Sequence, residues 1–350
     1  MSLHTVAATE LIQNLDRFDT IVDARSEDEF ALDHLPGAVN WPTLNNAERH
    51  EIGTIYKQVS SFEARKRGGA IAARNIGNHI ERNVLEKPRD WTPLIYCWRG
   101  GQRSGSLSFV LSQIGFRVTL IEGGYKAFRA ALVADTSRLA TAFDYRVVCG
   151  ATGSGKTRLL SALARRGAQV LDLEALADHR SSVLGAIPGV AQPSQKAFDT
   201  RIWDVLRRFD TGRPVYVESE SRKVGNVAVP SALMDAVRQG PCLNLVLNSA
   251  QRVALLMEEY NYFARDVSAF CDRLDVLTEL RGKEVVASWK ASLHSGNIEA
   301  VVQDLLVLHY DPGYLNSMQR NFSKFENAEV LAPFDRSPEA MDALALTLPQ

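Results

Sequence analysis

The stretch Tyr145-Arg146-Val147-Val148-Cys149-Gly150-Ala151-Thr152-Gly153-Ser154-Gly155-Lys156-Thr157 runs from a strand-like segment through a glycine-rich loop to a lysine and a threonine. Residues 150–157 fit GxxxxGK[ST] in full, with a strand before and a helix from Lys156 after, the context this motif requires. The glycines let amides turn toward phosphate oxygens, Lys156 supplies a mobile positive charge, and Thr157 offers a hydroxyl suited to Mg2+. Gly150, Gly153, Ser154, Gly155, Lys156 and Thr157 are therefore expected to bind a di- or triphosphate. The motif does not decide whether that ligand is a nucleotide such as ATP or GTP. Further strands are expected at 168–173, 215–218 and 243–247, with a mostly helical pattern after residue 250. Asp172 and Glu174 end one of these strands, and Glu218 and Glu220 another. Either pair could reach Mg2+ through water, or simply cap a strand end.

Upstream, strands at 20–24, 93–97 and 116–121 alternate with helices at 27–32 and 104–114. Residues 45–86 read as helical, interrupted at Gly53 and Gly68-Gly69. Such alternation implies a parallel α/β sheet. Residues 130–143 hold no compelling strand. The expected organisation is a first α/β domain over 1–130, a linker over 131–143, and a phosphate-loop α/β domain over 144–350 with a helical C-terminal part.

Cys97 ends a strand and is followed by Trp98-Arg99-Gly100-Gly101-Gln102-Arg103-Ser104 before a helix begins. Backbone amides, a helix N-terminus and two arginines all favour a thiolate over a thiol. The same cup of donors would bind a tetrahedral oxyanion. Cys97 is the candidate nucleophile, with Arg99 and Arg103 as its anion-binding partners.

The 350 residues include 40 Lys+Arg against 41 Asp+Glu and are 45% hydrophobic, enough for two domains with real cores. Disordered, collagenous and low-complexity classes are excluded. No apolar run approaches the roughly 18 residues needed to span a bilayer, and Met1 to Leu15 do not read as a signal peptide. Cys97, Cys149, Cys242 and Cys271 form no CxxC pair and show no metal-ligand spacing with the seven histidines. That suits a reducing cytoplasm and no structural metal. Charge is uneven: residues 1–56 net −7, whereas residues 57–129 carry thirteen basic and five acidic side chains, net +8. A basic block of this kind either faces a polyanion or is a solvated helical face. Its candidate RNA contacts are Arg65, Lys66, Arg67, Arg74, Lys126 and Arg129, with Trp98 as a residue that could stack on a base.

Asp23-Ala24-Arg25, Glu29-Phe30, His34-Leu35-Pro36-Gly37-Ala38 and Asn40-Trp41-Pro42 resemble the opening signature of the rhodanese family. Gly115-Phe116 and residues 122–128 resemble its closing one. Sulfurtransferase rhodaneses usually place four residues between cysteine and arginine, and here Cys97 and Arg103 are separated by five. The longer spacing is also seen in rhodanese-fold phosphatases, so the loop alone leaves sulfur transfer and phosphatase chemistry both open. Along nearly its whole length the chain is similar to the bacterial tRNA 2-selenouridine synthase family. The likeness runs through Cys97 to Ser104, residues 122–129, the phosphate loop, residues 171–174 with His179-Arg180, residues 217–223, Asn45-Asn46 with Glu48-Arg49, and Tyr310-Asp311-Pro312 with Tyr314.

That resemblance implies two steps on the wobble 2-thiouridine of tRNAs for Lys, Glu and Gln. Geranyl diphosphate first alkylates the sulfur, and selenium from selenophosphate then displaces the geranyl thiol by way of Cys97. Selenophosphate and geranyl diphosphate are the implied co-substrates, with Mg2+ a further candidate. The implied partners are the anticodon arm of tRNA and an enzyme that supplies selenophosphate. A monomer in the cytoplasm, away from membranes, is expected. Two rival readings are a rhodanese-fold cysteine phosphatase or arsenate reductase, and a phosphate-loop small-molecule kinase with a passive first module.

Overall fold

The computed structural model describes residues 3–180, 182 and 184–350. The chain forms two compact units, one of residues 1–136 with 193–204, the other of residues 137–192 with 205–350. In the first unit five short strands make one wholly parallel sheet: β1 (Leu3–Val6), β2 (Thr20–Asp23), β3 (Ala38–Asn40), β4 (Pro93–Tyr96) and β5 (Val118–Ile121). Their order is β1-β5-β4-β2-β3. The central β4 is buried at every position, the pattern of a strand covered on both faces. Ile95 and Val22 pack with Leu107 and Leu111 of the helix Gln102–Ile114, and with Trp41, Trp91 and Phe116.

The helical reading of 45–86 resolves into two helices, Asn46–Gln58 and Ser61–Asn83. The break falls at Val59-Ser60 and not at the glycines. Asn45 and Glu48 cap the first helix reciprocally, and the Ser60 hydroxyl accepts the Glu63 amide to start the second. Gly53, Gly68 and Gly69 lie inside helices.

Most of the stretch read as a linker, 131–143, lies in the helix Gly124–Ala140, between β5 and β6. Phe128, Leu132 and Leu139 on this helix are buried, so the stretch is packed and not a loose link. The helix Gln195–Leu206 contributes its residues to 204 to the first unit, where Trp203 packs edge-on to Phe128 and donates to Asp135.

The second unit holds another five-stranded parallel sheet, of β6 (Tyr145–Cys149), β7 (Gln169–Leu171), β8 (Val215–Glu218), β11 (Cys242–Leu245) and β12 (Glu329–Leu331). A two-stranded hairpin, β9 (Lys223–Val224) with β10 (Val227–Ala228), stands apart from it. The order β12-β11-β6-β8-β7 reverses at β6. Open parallel sheets bind ligands at the carboxyl end of the strand where the order reverses, and β6 leads straight into the glycine-rich loop. The sheet core combines Val148, Tyr216 and Leu245 with Leu159 and Leu163 of the helix Lys156–Arg165 and Met341 of the helix Pro338–Leu346. A separate helical core gathers Phe263, Phe270, Leu274, Trp289, Leu293 and Leu305. Among the described residues no helix is long and apolar enough to cross a membrane.

Candidate active site

Cys97 follows β4, and its side chain is 3% exposed. Its sulfur accepts from the Gly101 amide at 3.3 Å and from the Ser104 hydroxyl at 3.1 Å. Two donors aimed at one sulfur stabilise negative charge on it, which is what a nucleophilic cysteine needs. The loop is clamped from behind. Tyr125 and Lys126 donate their amides to the carbonyls of Cys97 and Trp98, at 2.9 and 3.0 Å. That approach requires Gly124: its φ is +59°, and a Cβ there would stand 2.3 Å from the Cys97 carbonyl oxygen.

The arginines divide their roles. Arg99 is exposed on the loop. Arg103 is held by Glu29 at 2.6 Å, and Glu29 also takes Arg49 at 2.8 Å. Glu29 sits below the usual carboxylate range; burial opposes this, and the Arg103 and Arg49 charges outweigh it. Beneath the loop lies an ion pair from the opening signature, Arg25 with Asp23 at 2.6 Å, both essentially inaccessible. The Arg25 guanidinium also lies 4.0 Å over the Tyr125 ring and donates to the Asp33 carbonyl. Tyr125 and Thr200 both donate to the Asp33 carboxylate, at 2.6 and 3.1 Å.

Of the candidate RNA contacts, Arg65, Lys66, Arg67 and Arg74 lie exposed on the helix Ser61–Asn83, and Lys126 is exposed near the cysteine loop. Arg129 is different. It is largely buried, paired with Asp199, and donates to the Thr200 hydroxyl and the Lys196 carbonyl. It ties the helix Gln195–Leu206 to the first unit instead of facing solvent. Trp98 stacks on Tyr125, with Lys196 over its ring, so packing already engages it.

The phosphate loop follows β6. Gly150 has φ +151°, and a Cβ on it would meet the Ser154 hydroxyl at 2.3 Å, so the tight turn depends on glycine. Lys156 donates its ammonium to the Gly150 carbonyl at 2.7 Å, and the Gly150 amide donates to the Tyr314 hydroxyl at 2.7 Å. Arg252 braces the loop by donating to the Thr152 carbonyl while gripping Asp311 bidentately. The loop floors a cavity of about 800 Å³ that Asp172, Glu174, Glu220, Arg180 and Arg281 also line. The hydroxyls of Ser154 and Ser219 and one carboxylate oxygen of Glu218 are buried around this loop without a hydrogen-bond partner.

The two carboxylate pairs converge, because β8 lies between β6 and β7. Glu218 accepts the Glu174 amide at 2.9 Å. Burial, followed by the charges of Asp172 and Glu220, pushes Glu218 well above its ordinary range. Burial with the Glu174 charge raises Glu220 to about 8, Lys156 opposing, and burial raises Asp172. Asp172 also caps the short helix Leu173–Leu176. Among the described residues no three His, Cys, Asp or Glu are grouped to hold a metal by themselves. A divalent ion would take one or two oxygens here and the rest from phosphate and water, as Mg2+ commonly does.

Two family descriptions match the chain: a rhodanese-like domain over residues 7–131, and the tRNA 2-selenouridine synthase AAA domain over residues 143–276. A tRNA 2-selenouridine synthase from Bdellovibrio bacteriovorus is 30% identical and covers 91% of this chain and 94% of its own. The chain belongs to the tRNA 2-selenouridine synthase family. A further relative, the tRNA 2-selenouridine synthase of Marinobacter nauticus, is 33% identical over 70% of this chain and 68% of its own. Among solved structures, the N-terminal domain of a Clostridium difficile 630 protein named for ATP/GTP binding is 35% identical over 36% of this chain and 96% of that one, with a TM-score of 0.32. In this member of the synthase family, Asp23, Arg25 and Glu29 stand in the rhodanese-like opening signature, but motif reading gave them no role at the cysteine and missed Asp33.

Proposed function

We propose that this chain replaces the sulfur of 2-thiouridine in tRNA by selenium in two steps, with one loop serving each. In the first, the phosphate loop holds geranyl diphosphate, and the thiouridine sulfur attacks the allylic carbon as the carbon–oxygen bond to diphosphate breaks. Lys156 and the loop amides stabilise the charge that builds on the departing diphosphate. Mg2+ would be held by Thr157 and Glu220, near the Glu218 carboxylate oxygen that has no hydrogen-bond partner, and when bound it would neutralise diphosphate charge. In the second step selenium, delivered as selenophosphate by another enzyme, enters at C2 and the geranyl thiolate leaves. Alkylation matters because a bare thiocarbonyl sulfur is a poor leaving group. Cys97 is the nucleophile of this step: its thiolate adds to C2 and expels the geranyl thiolate, and the selenium of selenophosphate then displaces Cys97 from C2. Water cleaves the selenium–phosphorus bond and phosphate leaves, with Arg99 exposed to meet it and Arg103 set by Glu29 beside the loop. The exposed cations of the helix Ser61–Asn83 would meet the anticodon arm.

The observation that carries this reading is a thiol held by two donors and a complete phosphate loop on one chain, matched over 91% of its length by a tRNA 2-selenouridine synthase. The test is to incubate the protein with 2-thiouridine tRNA, geranyl diphosphate, Mg2+ and selenophosphate, then weigh the digested nucleosides. A selenium-containing nucleoside is expected from the unmutated chain, and accumulated geranylated nucleoside from Cys97→Ala. Full selenation by Cys97→Ala would refute the role of Cys97.

A further inference from the structure

The cavity over the phosphate loop does not end at its polar lining. Thr152, Leu256 and Tyr310 line that cavity and also a second, smaller recess of about 60 Å³, so the two spaces are contiguous. Phe263, Phe270 and Val302 line the recess only, and its remaining walls are almost entirely apolar. Phe263 and Phe270 stack with centroids 4.6 Å apart, which gives the recess a stiff wall. Another wall comes from a helix that widens into a π-turn over Leu305–Tyr310, just before Pro312, which has no amide hydrogen to donate. Such turns are found frequently at functional sites.

A recess this narrow exceeds several-fold the roughly 10–15 Å³ that one water needs, yet offers almost no polar partners to hold water. Compared with the cavity of about 800 Å³ beside it, the recess is a slot for a chain and not a chamber for a stacked nucleobase. A ligand with phosphate on residues 150–157 and an apolar chain past Thr152 fills both spaces. We propose that this recess holds the hydrocarbon tail of the diphosphate donor, and that Phe270 and Val302 set the chain length accepted. The proposal rests on the reading above that the phosphate loop takes an alkyl diphosphate.

The test is calorimetric titration of the full chain, with Mg2+ present, by inorganic diphosphate and by dimethylallyl, geranyl and farnesyl diphosphates. Each buried methylene adds about fourfold to affinity, so geranyl diphosphate should bind at least about 50-fold tighter than dimethylallyl diphosphate. Val302 is only partly buried, so Val302→Phe can fill the slot with little disturbance. It should weaken geranyl diphosphate at least about 20-fold and leave inorganic diphosphate within about twofold. Phe270→Ala and the milder Val302→Ala should each shift preference toward the farnesyl chain, and Val302→Ala decides the matter if Phe270→Ala does not fold. Equal affinity for geranyl and inorganic diphosphate, or a Val302→Phe loss shared equally by every ligand, overturns the recess while the phosphate-loop reading stands. If no diphosphate binds the unmutated chain, that reading falls and takes the recess with it.

Discussion

The cysteine loop and the phosphate loop each follow an inner strand of a five-stranded parallel sheet, yet their charges are handled in opposite ways. Around Cys97 every buried acid has a cation or hydroxyl: Asp23 has Arg25, Glu29 has Arg103 and Arg49, and Asp33 has Tyr125 and Thr200. Around the phosphate loop burial pushes up Asp172, Glu218 and Glu220; the charges of Asp172 and Glu220 add to this on Glu218 and that of Glu174 on Glu220, and Glu218 keeps a bare oxygen. The first arrangement is complete without a ligand and pre-sets one thiol. The second is incomplete, and a cation with a phosphorylated ligand would complete it. A site that must grip and release a multiply charged substrate gains from such incompleteness, because ligand binding then relieves a strain already present.

The contrast can be broken at several points. The largest effect should come from Lys156→Ala: geranylated and selenated nucleosides should both fall at least about 100-fold, the scale of losing one key transition-state charge. Nucleoside mass spectrometry checks this, and normal geranylation would detach the loop from the first step. Next, Arg25→Leu strands the Asp23 carboxylate in the interior and should cost about 3–5 kcal/mol in a denaturant melt. A loss under about 1 kcal/mol would mean that the first unit does not depend on its paired charges.

Third, the buried carboxylate cluster should announce itself through pH. Glu220 titrates near 8 in the folded chain and near the ordinary 4.5 when unfolded. Between those values the folded chain keeps a proton that the unfolded chain has released, so metal-free stability falls as pH rises from about 4.5 to 8. Glu220→Gln should flatten that slope and raise stability at pH 8 by on the order of 2 kcal/mol. Added Mg2+ should stabilise the unmutated chain more at pH 8 than at pH 6, readable as melting temperature. The smallest effect belongs to the surface. Replacing Arg65, Lys66, Arg67 and Arg74 by alanine should weaken tRNA binding and lower its salt slope by up to about 3. Arg129→Ala, being an internal pair, should lower stability and leave the slope unchanged.

Much of the fold was legible, and the misses share a cause. β4, β5, β6, β8 and β11 have buried apolar runs that show in the sequence. β1, β3 and β12, which the pattern does not reveal, are all edge strands of three or four residues with exposed positions. An edge strand needs little apolar surface, so it leaves little periodicity to read. Likewise the stretch 131–143 lacks strand character and reads as a connector, although Leu132 and Leu139 are the buried stripe of a helix.

What the sequence determined by itself was the chemistry that contiguous residues carry. Cys97 through Ser104 place a thiol beside backbone amides, and Gly150 through Thr157 place a lysine and a hydroxyl beside amides, each within eight consecutive residues, so spacing alone specifies them. What only the tertiary structure decided was which distant groups complete or oppose that chemistry. The order β6-β8-β7 merges two separate carboxylate pairs into one repelling cluster, and helix packing turns Arg129 inward. The apolar recess gathers Thr152, Leu256, Phe270, Val302 and Tyr310 from segments up to 158 residues apart. Electrostatic repulsion, burial and the shape of an empty space belong to atoms that are near in three dimensions, whatever their separation along the chain.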